Sequence, residues 1–235
     1  MAYILCIETS TSICSTALID DGKVVAARQN NEGNSHATQL TLLIQELFND
    51  SSVIPAISDI DAVAVSCGPG SYTGLRIGVS TAKGICFALD KPLIAISSLA
   101  ILAWPVVKQN YGSNLDTETW YCPMIDARRM EVYTAMFDQN MVQKRETSAD
   151  IIDPNSYQDI LKRRKVFFFG NGAKKCQDTL THKNAVFFED EGPLARNMAS
   201  LAHDAWQNGR FEDVASFVPF YLKDFIATTP KRKVL

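Results

Sequence analysis

The chain has 235 residues, of which 46% are hydrophobic, and a formal net charge of −3 at pH 7. This length suits one large domain or two lobes of roughly 100 residues each. The acidic balance argues against an autonomous nucleic-acid binder, which usually carries a basic face. The one basic cluster, Lys231-Arg232-Lys233, lies in a Pro-containing tail. Such a tail is more typical of a solvated segment, although it could contact a nucleic-acid backbone held by a partner.

Cysteine usage and hydropathy favour a cytoplasmic protein. The six cysteines are scattered and never form C-x-x-C, which is typical of reduced thiols. The most apolar window, Leu93 to Val107, is interrupted by Ser97, Ser98 and Pro105 and is too short to span a bilayer. We therefore expect a soluble, cytoplasmic chain with no membrane partner.

The first half predicts three strands followed by alternating helices and strands. The turn Asp20-Asp21-Gly22 is a clear hairpin signal between the second and third strands. The order is βββαβαβα. The predicted strands are Tyr3–Glu8, Ile13–Ile19, Lys23–Arg28, Asp61–Val65 and Leu93–Ile96, and the predicted helices are Ser35–Phe48, Leu75–Leu89 and Ser98 to about Gln109.

The second half predicts the same order again after a polar linker candidate, Asn110–Thr119. A duplicated βββαβαβα unit indicates an α/β, two-lobed actin-like (ASKHA, ribonuclease H-like) fold, with lobes over residues 1–110 and 111–235. Fold analogy of this kind decides no function. The predicted strands are Trp120–Ile125, Glu131–Asp138, Met141–Glu146, Lys165–Phe169 and Ala185–Phe188, and the predicted helices are Ser156–Lys162, Ala173–Leu180 and Pro193–Gln207.

A glycine-rich turn joins the strand at Val65 to the helix at Leu75. It lacks the Gly-Lys-Ser/Thr of a Walker A loop and the spacing of a dinucleotide fingerprint. A phosphate cradle at the helix N-terminus is one interpretation, and close packing of strand and helix is the favoured one. The first hairpin adds only a weak phosphate signal, because Glu8 stands where the actin-like class usually has Asp. The candidate vestigial phosphate-loop residues are Glu8, Thr9, Ser10, Gly68, Gly70, Ser71, Thr73 and Gly74.

Residues that could carry catalysis or bind a metal are sparse. The three histidines fall at no metal-ligand spacing, and no nucleophile and base can be paired. Asp126, Arg128 and Glu131, in a turn between two strands, could serve acid–base chemistry or bind an anion. An ion network that orients the hairpin is the favoured interpretation. We therefore predict no catalytic residue and no metal site.

The helix Leu75–Leu89 is apolar on more than one face, which predicts burial on both sides. In the helix before it, Leu42 stands apart from a core stripe formed by Ala37, Leu40, Leu43, Ile44 and Leu47. Contact with another subunit and burial against this chain's own second lobe or tail are about equally supported by the pattern. The candidate partner-interface residues are His36, Leu40, Leu42, Leu43, Leu47, Ile77, Thr81, Gly84 and Ala88.

The segment Gly68-Pro-Gly-Ser-Tyr-Thr-Gly-Leu-Arg-Ile-Gly78 resembles the TsaB (YeaZ) family, whose hallmark is GPGS-aromatic-TGLRIG. The resemblance runs along nearly the whole chain in family order. It also covers Ile4-Leu-Cys-Ile-Glu-Thr-Ser10, His36, Ile125-Asp-Ala-Arg128, Glu131-Val-Tyr133, Gly170-Asn-Gly172 and Pro219-Phe-Tyr-Leu222.

The resemblance implies an actin-like fold and a role in making N6-threonylcarbamoyladenosine in tRNAs that decode ANN codons. It implies a non-catalytic subunit that pairs with the homologous, metal-binding TsaD, together with the ATPase TsaE and with tRNA reached through the complex. The helices Ser35–Phe48 and Leu75–Leu89 would form this heterodimer, and a homodimer when the chain is isolated. No cofactor is firmly implied, although ATP or ADP could bind at a subunit junction.

Two departures from the family pattern weaken any residual nucleotide binding. Glu8 stands where Asp is common, and Met130 stands where Gly is frequent. Two alternatives stay open from the sequence: an autonomous actin-like ATP-binding phosphotransferase, and a glycoprotease-type peptidase.

Overall fold

The computed structural model describes residues 2–33, 36–49, 56–110 and 118–223. Two five-stranded sheets form the centre of the fold, in the orders β3-β2-β1-β4-β5 and β10-β9-β6-β7-β8. The first half contains β1 Tyr3–Glu8, β2 Cys14–Asp20, β3 Lys23–Asn30, α1 His36–Phe48, β4 Ala62–Gly68, α2 Tyr72–Leu89, β5 Leu93–Ser97 and α3 Ser98–Asn110. The second contains β6 Trp120–Asp126, β7 Glu131–Phe137, β8 Gln143–Ile151, α4 Gln158–Leu161, β9 Val166–Phe169, β10 Ala185–Phe187 and α5 Ala199–Gln207.

The two sheets share one connectivity. In the first, β1 pairs antiparallel with β2 and parallel with β4, and β4 pairs parallel with β5. In the second, β6 pairs antiparallel with β7 and parallel with β9, and β9 pairs parallel with β10. This repetition confirms the predicted duplicated, two-lobed α/β fold.

Each sheet is partly covered by helical residues from the other half of the chain. Helices α1 and α2 pack on one face of the first sheet around Leu5, Val63 and Val79. The opposite face is covered by residues 195–205, which belong to the second half. Helix α3, from the first half, packs against Tyr121 and Phe169 of the second sheet. The two halves of the predicted division at residue 110 therefore exchange helices.

Several predicted boundaries differ from the observed ones. The helix predicted over Ala173–Leu180 is only a 3-10 turn, Lys174–Cys176, and α5 follows another 3-10 turn, Ala195–Met198. Strand β8 runs to Ile151, beyond the predicted Glu146, because its polar residues continue to pair with β7. An edge strand exposed on one side needs no apolar alternation, so its pattern was weak.

Three predicted features fall outside the described residues. They are the helix start at Ser35, most of the linker Asn110–Thr119, and the basic cluster Lys231-Arg232-Lys233. Within the described ranges, no helix combines the length and apolar character that crossing a membrane requires.

Candidate functional site

The glycine-rich turn packs directly onto the first hairpin. A Cβ atom on Gly70 would lie 2.3 Å from the Ser10 carbonyl oxygen, and one on Gly74 would lie 2.1 Å from the Thr9 carbonyl oxygen. A Cβ on Gly78 would lie 2.2 Å from Thr9 Oγ1. Glycine is required at positions 70 and 74 because the backbone of the β1–β2 hairpin leaves no room for a side chain, whereas at position 78 the obstacle is the Thr9 side chain.

Two amides of this turn, those of Ser71 and Gly74, are hydrogen-bonded within the chain. The Ser71 N–H donates to the Ser10 carbonyl at 2.7 Å, and the Gly74 N–H donates to Ser71 Oγ at 3.2 Å, which caps α2. Gly68, at a φ of +109°, lies against the Phe220 carbonyl. An anion at this helix N-terminus would have to displace these bonds, so the contacts support close packing over a phosphate cradle.

Glu8 is fully buried beneath the same turn. Its Oε1 accepts the Ser10 N–H at 2.5 Å, while Oε2 has no partner among the described residues. Burial raises the pKa of this carboxyl to about 7, although hydrogen bonds from Ser10, Ser66 and Thr9 oppose the rise. The Glu8 carboxyl therefore titrates near neutral pH although it lies inside the core.

A cavity of about 480 Å³ lies between the two lobes. The hairpin tip Thr11–Ile13 forms one wall, and residues of the ranges 170–177 and 187–193 form the other. None of the candidate phosphate-loop residues lines it. The wall carries Glu189, Asp190 and Glu191 with Lys174, and Glu191 also pairs with Arg196. Carboxylates outnumber lysines in the lining, which disfavours a polyphosphate.

The turn at Asp126 forms an ion network that differs from the predicted one. Asp126 pairs with Lys175, and Glu131 pairs with Lys223. Lys175 Nζ also donates to the Glu131 carbonyl at 2.7 Å, and the Arg128 N–H donates to Asp126 Oδ1 at 2.9 Å. The carboxylates are therefore held by lysines, and Arg128 contributes its backbone amide. These contacts support a structural role for the turn.

The described residues offer few groups for catalysis. They contain no set of three or more His, Cys, Asp or Glu side chains placed to hold a metal ion. Burial raises the pKa of the Cys67 thiol, next to the glycine-rich turn, to about 12. A thiol with so high a pKa is a poor nucleophile at neutral pH.

Helices α1 and α2 place the predicted interface residues in two different environments. His36, Leu40, Leu43 and Leu47 are buried within this chain, so they cannot offer surface to a partner as predicted. Ala37, predicted in the core stripe, is exposed. Leu42 is 48% exposed, Gly84 and Ala88 are exposed, and Ile77 and Thr81 are partly buried.

The most exposed aromatic residue of α2 is not among the residues predicted from the sequence. Phe87 is 86% exposed, and a Cβ on nearby Gly84 would have no contact within 4 Å. Residues 84, 87 and 88 share one side of the helix, which could have pointed to Phe87. We call the outward residues Ile77, Thr81, Gly84, Phe87 and Ala88 the α2 strip.

Comparisons with known proteins agree with this architecture. The family profile described as TsaD: tRNA N6-adenosine threonylcarbamoyltransferase matches residues 29–198. The Bacillus subtilis protein TsaB is 31% identical over 186 residues, which cover 78% of this chain and 74% of that protein. The chain belongs to the TsaB family of tRNA threonylcarbamoyladenosine biosynthesis proteins.

Further relatives extend the match along this TsaB family member. The Escherichia coli TsaB is 28% identical over 230 residues, covering 95% of this chain and 96% of that protein. A solved structure of YeaZ from Pseudomonas aeruginosa has a TM-score of 0.77 at 27% identity, covering 94% of this chain and all of that one. The shared fold therefore extends across both lobes.

Proposed function

We propose that this protein is a non-catalytic subunit that binds a homologous TsaD subunit and so completes the enzyme that forms N6-threonylcarbamoyladenosine in tRNA. The modified adenosine lies next to the anticodon of ANN-decoding tRNAs. The observation that carries this proposal is the α2 strip, a surface of apolar and small residues from which Phe87 projects into solvent. Membership of the TsaB family supports a role in tRNA threonylcarbamoyladenosine formation, and the α2 strip supports binding to a TsaD subunit.

The strip has the composition of a helix-to-helix contact. Burying an exposed Phe side chain contributes roughly 2–3 kcal/mol, so Phe87 would be the main anchor. Gly84 and Ala88 carry little or no side chain, which lets a partner helix approach closely. Leu42 on α1 adds a second exposed apolar contact. A partner that presents its own helix pair would bury all of these at once.

The rest of the site supports a subunit without its own chemistry. The Ser71 and Gly74 amides are bonded internally, the cavity between the lobes carries several carboxylates, and Glu8 is buried in the core. We propose that TsaE and tRNA are reached through the complex, and that any ATP or ADP binds at a subunit junction. The isolated chain would pair with a second copy through the same strip.

Reconstitution of tRNA modification tests the proposal. The TsaD homologue, TsaE and a threonylcarbamoyl-adenylate synthase are combined with tRNA, with and without this chain. We expect modification only when the chain is present, and undiminished modification without it would overturn the proposal. Assays of the isolated chain for ATP turnover and peptide cleavage separate the proposal from a phosphotransferase and a peptidase, since either activity would contradict it.

A further inference from the structure

A groove runs along α2 beside Tyr72, Arg76 and Lys83. The C-terminal segment, residues 212–222, lies antiparallel to the helix and forms the second wall. Lys83 Nζ donates to the carbonyls of Ala215 and Phe217 at 3.1 and 2.9 Å, which holds the segment in place. At the other end, the ring of Tyr221 lies 4.9 Å from that of Tyr72. The enclosed volume is about 280 Å³.

Arg76 supplies the unpaired positive charge in this groove. Its guanidinium lies over the Tyr72 ring at 5.3 Å, and Nη1 donates to Tyr72 Oη at 3.2 Å. Among the described residues, no carboxylate forms an ion pair with Arg76. Stacking on Tyr72 orients the planar guanidinium before any ligand arrives, which lowers the entropy lost on binding.

The remaining walls of the groove are largely apolar. They include Phe217, Val218, Pro219 and Tyr221 of the C-terminal segment, and Val218 is 67% exposed. Lys83, the other cation of the groove, is already bonded to two carbonyls. A nucleic-acid backbone would require several free cations. One oriented guanidinium among aromatic and apolar walls is better matched to an acidic side chain of a protein.

The groove is continuous with the α2 strip. Ser80 lines the groove, and the neighbouring residues Ile77 and Thr81 belong to the strip. Any subunit that covers the strip therefore reaches the groove at its edge. We propose that Arg76 receives an Asp or Glu side chain of the subunit docked on α2, with an apolar residue beside it contacting Val218 and Pro219. This inference rests on the proposed function, because it specifies how the same partner is recognised.

Carbodiimide coupling tests the proposal directly. The variant Arg76→Lys places a primary amine in the groove, and a zero-length carbodiimide joins such an amine only to a carboxylate in direct contact. The variant is mixed with the TsaD homologue, treated, digested and analysed by mass spectrometry. We expect a cross-linked peptide that joins position 76 to an Asp or Glu of the partner. A complex that forms without a link at position 76 would overturn the proposal.

Affinity measurements supply a second readout. We expect Arg76→Gln to weaken binding of the TsaD homologue about 10-fold or more at low salt and to reduce its salt dependence. Arg164→Gln is the matched control, because that guanidinium also stacks on an aromatic ring, Trp120 at 4.3 Å, but belongs to the other lobe. Unchanged affinity in Arg76→Gln would overturn the proposal, and so would an effect confined to tRNA binding.

The same assay separates this inference from the proposed function. Phe87→Asp alters the strip but not the groove. If Phe87→Asp abolishes binding while Arg76→Gln leaves it unchanged, the carboxylate contact is wrong and the helix pairing stands. If both variants bind like wild type, the pairing itself is wrong.

Discussion

Thr9 and Gly78 meet where the first hairpin packs on helix α2, and Thr9 Oγ1 lies 2.2 Å from the position of a Cβ on residue 78. This contact connects the glycine-rich turn to the rest of the molecule. The glycines bring α2 against the sheet, and that position turns Phe87 and Gly84 outward. The glycine-rich turn thus fixes the position of the α2 surface that we propose binds a partner.

The first prediction concerns two glycines of the same helix. Gly78→Ala forces the Thr9 side chain or the helix to move, and we expect a loss of about 1–3 kcal/mol in the free energy of unfolding. The new Cβ in Gly84→Ala would have no contact within 4 Å. We expect the free energy of unfolding to rise by up to about 1 kcal/mol, because alanine has the higher helix propensity. Urea unfolding of both variants measures the difference. Equal stabilities would contradict the close packing.

A second substitution checks the cause of the first effect. Thr9→Ala removes the hydroxyl that the new Cβ would meet, so it should recover part of the stability lost in Gly78→Ala. The Thr9 Cβ itself, 3.3 Å away, still limits the recovery. If the double variant is only as stable as the sum of the two single effects predicts, the strain in Gly78→Ala does not come from the Thr9 hydroxyl.

The second prediction separates core from surface on α1. Leu40 is 1% exposed, so Leu40→Ala should cost about 2–5 kcal/mol in the free energy of unfolding. Leu42 is half exposed, so Leu42→Ala should change stability by less than about 1 kcal/mol. Binding of the TsaD homologue should weaken in Leu42→Ala. Thermal and urea unfolding, with a titration of the partner, give both quantities.

The third prediction is a pH dependence caused by Glu8. Burial raises its pKa to about 7 in the folded chain, from the ordinary value of 4.5 that it has when the chain is unfolded. Between these values the unfolded chain releases a proton that the folded chain keeps, so stability falls as pH rises from 4.5 to 7 and levels off above it. The difference is on the order of 3 kcal/mol.

Glu8→Gln isolates this contribution, because the amide has nearly the same shape and no charge. The stability of the variant relative to wild type should rise across that pH window and then stay constant. Urea unfolding at several pH values measures it. A constant difference between the two proteins from pH 4.5 to 8 would show that Glu8 does not titrate there.

Parts of the site were predictable because they depend on local spacing. The double apolar face of the Leu75–Leu89 helix appears in the sequence as a 3.6-residue pattern, and Gly84 and Ala88 fall on its outer side as predicted. The same period in α1 placed Leu40 in the core stripe and Leu42 apart from it, as the structure has them, but it also placed Ala37 in the stripe, and Ala37 is exposed. Phe87 was missed because an aromatic residue is normally expected to be buried.

Other parts depend on contacts across long stretches of chain. The bonds from Lys83 to Ala215 and Phe217 join residues more than 130 positions apart, and no local pattern predicts them. These bonds, with the contact between the rings of Tyr72 and Tyr221, hold the segment that forms one wall of the groove at Arg76. Likewise, Lys175 and Lys223 hold Asp126 and Glu131 from distant loops, whereas the sequence suggested the neighbouring Arg128.

The fourth prediction concerns self-association of the isolated chain. Phe87→Asp places a charge on the α2 strip and should shift a homodimer to monomer in sedimentation velocity. Ile151→Asp is the matched control, because Ile151 is 75% exposed on the edge strand of the other sheet. We expect the control to sediment like wild type. An equal effect of both variants would show nonspecific association through exposed apolar residues.

The central claim is most directly tested by measuring tRNA modification in the reconstituted system with these two variants. Circular dichroism and urea unfolding first establish that both are folded. We predict that Phe87→Asp loses association with the TsaD homologue and tRNA modification together, while Ile151→Asp retains both. Modification at the wild-type rate with a folded Phe87→Asp variant would contradict it.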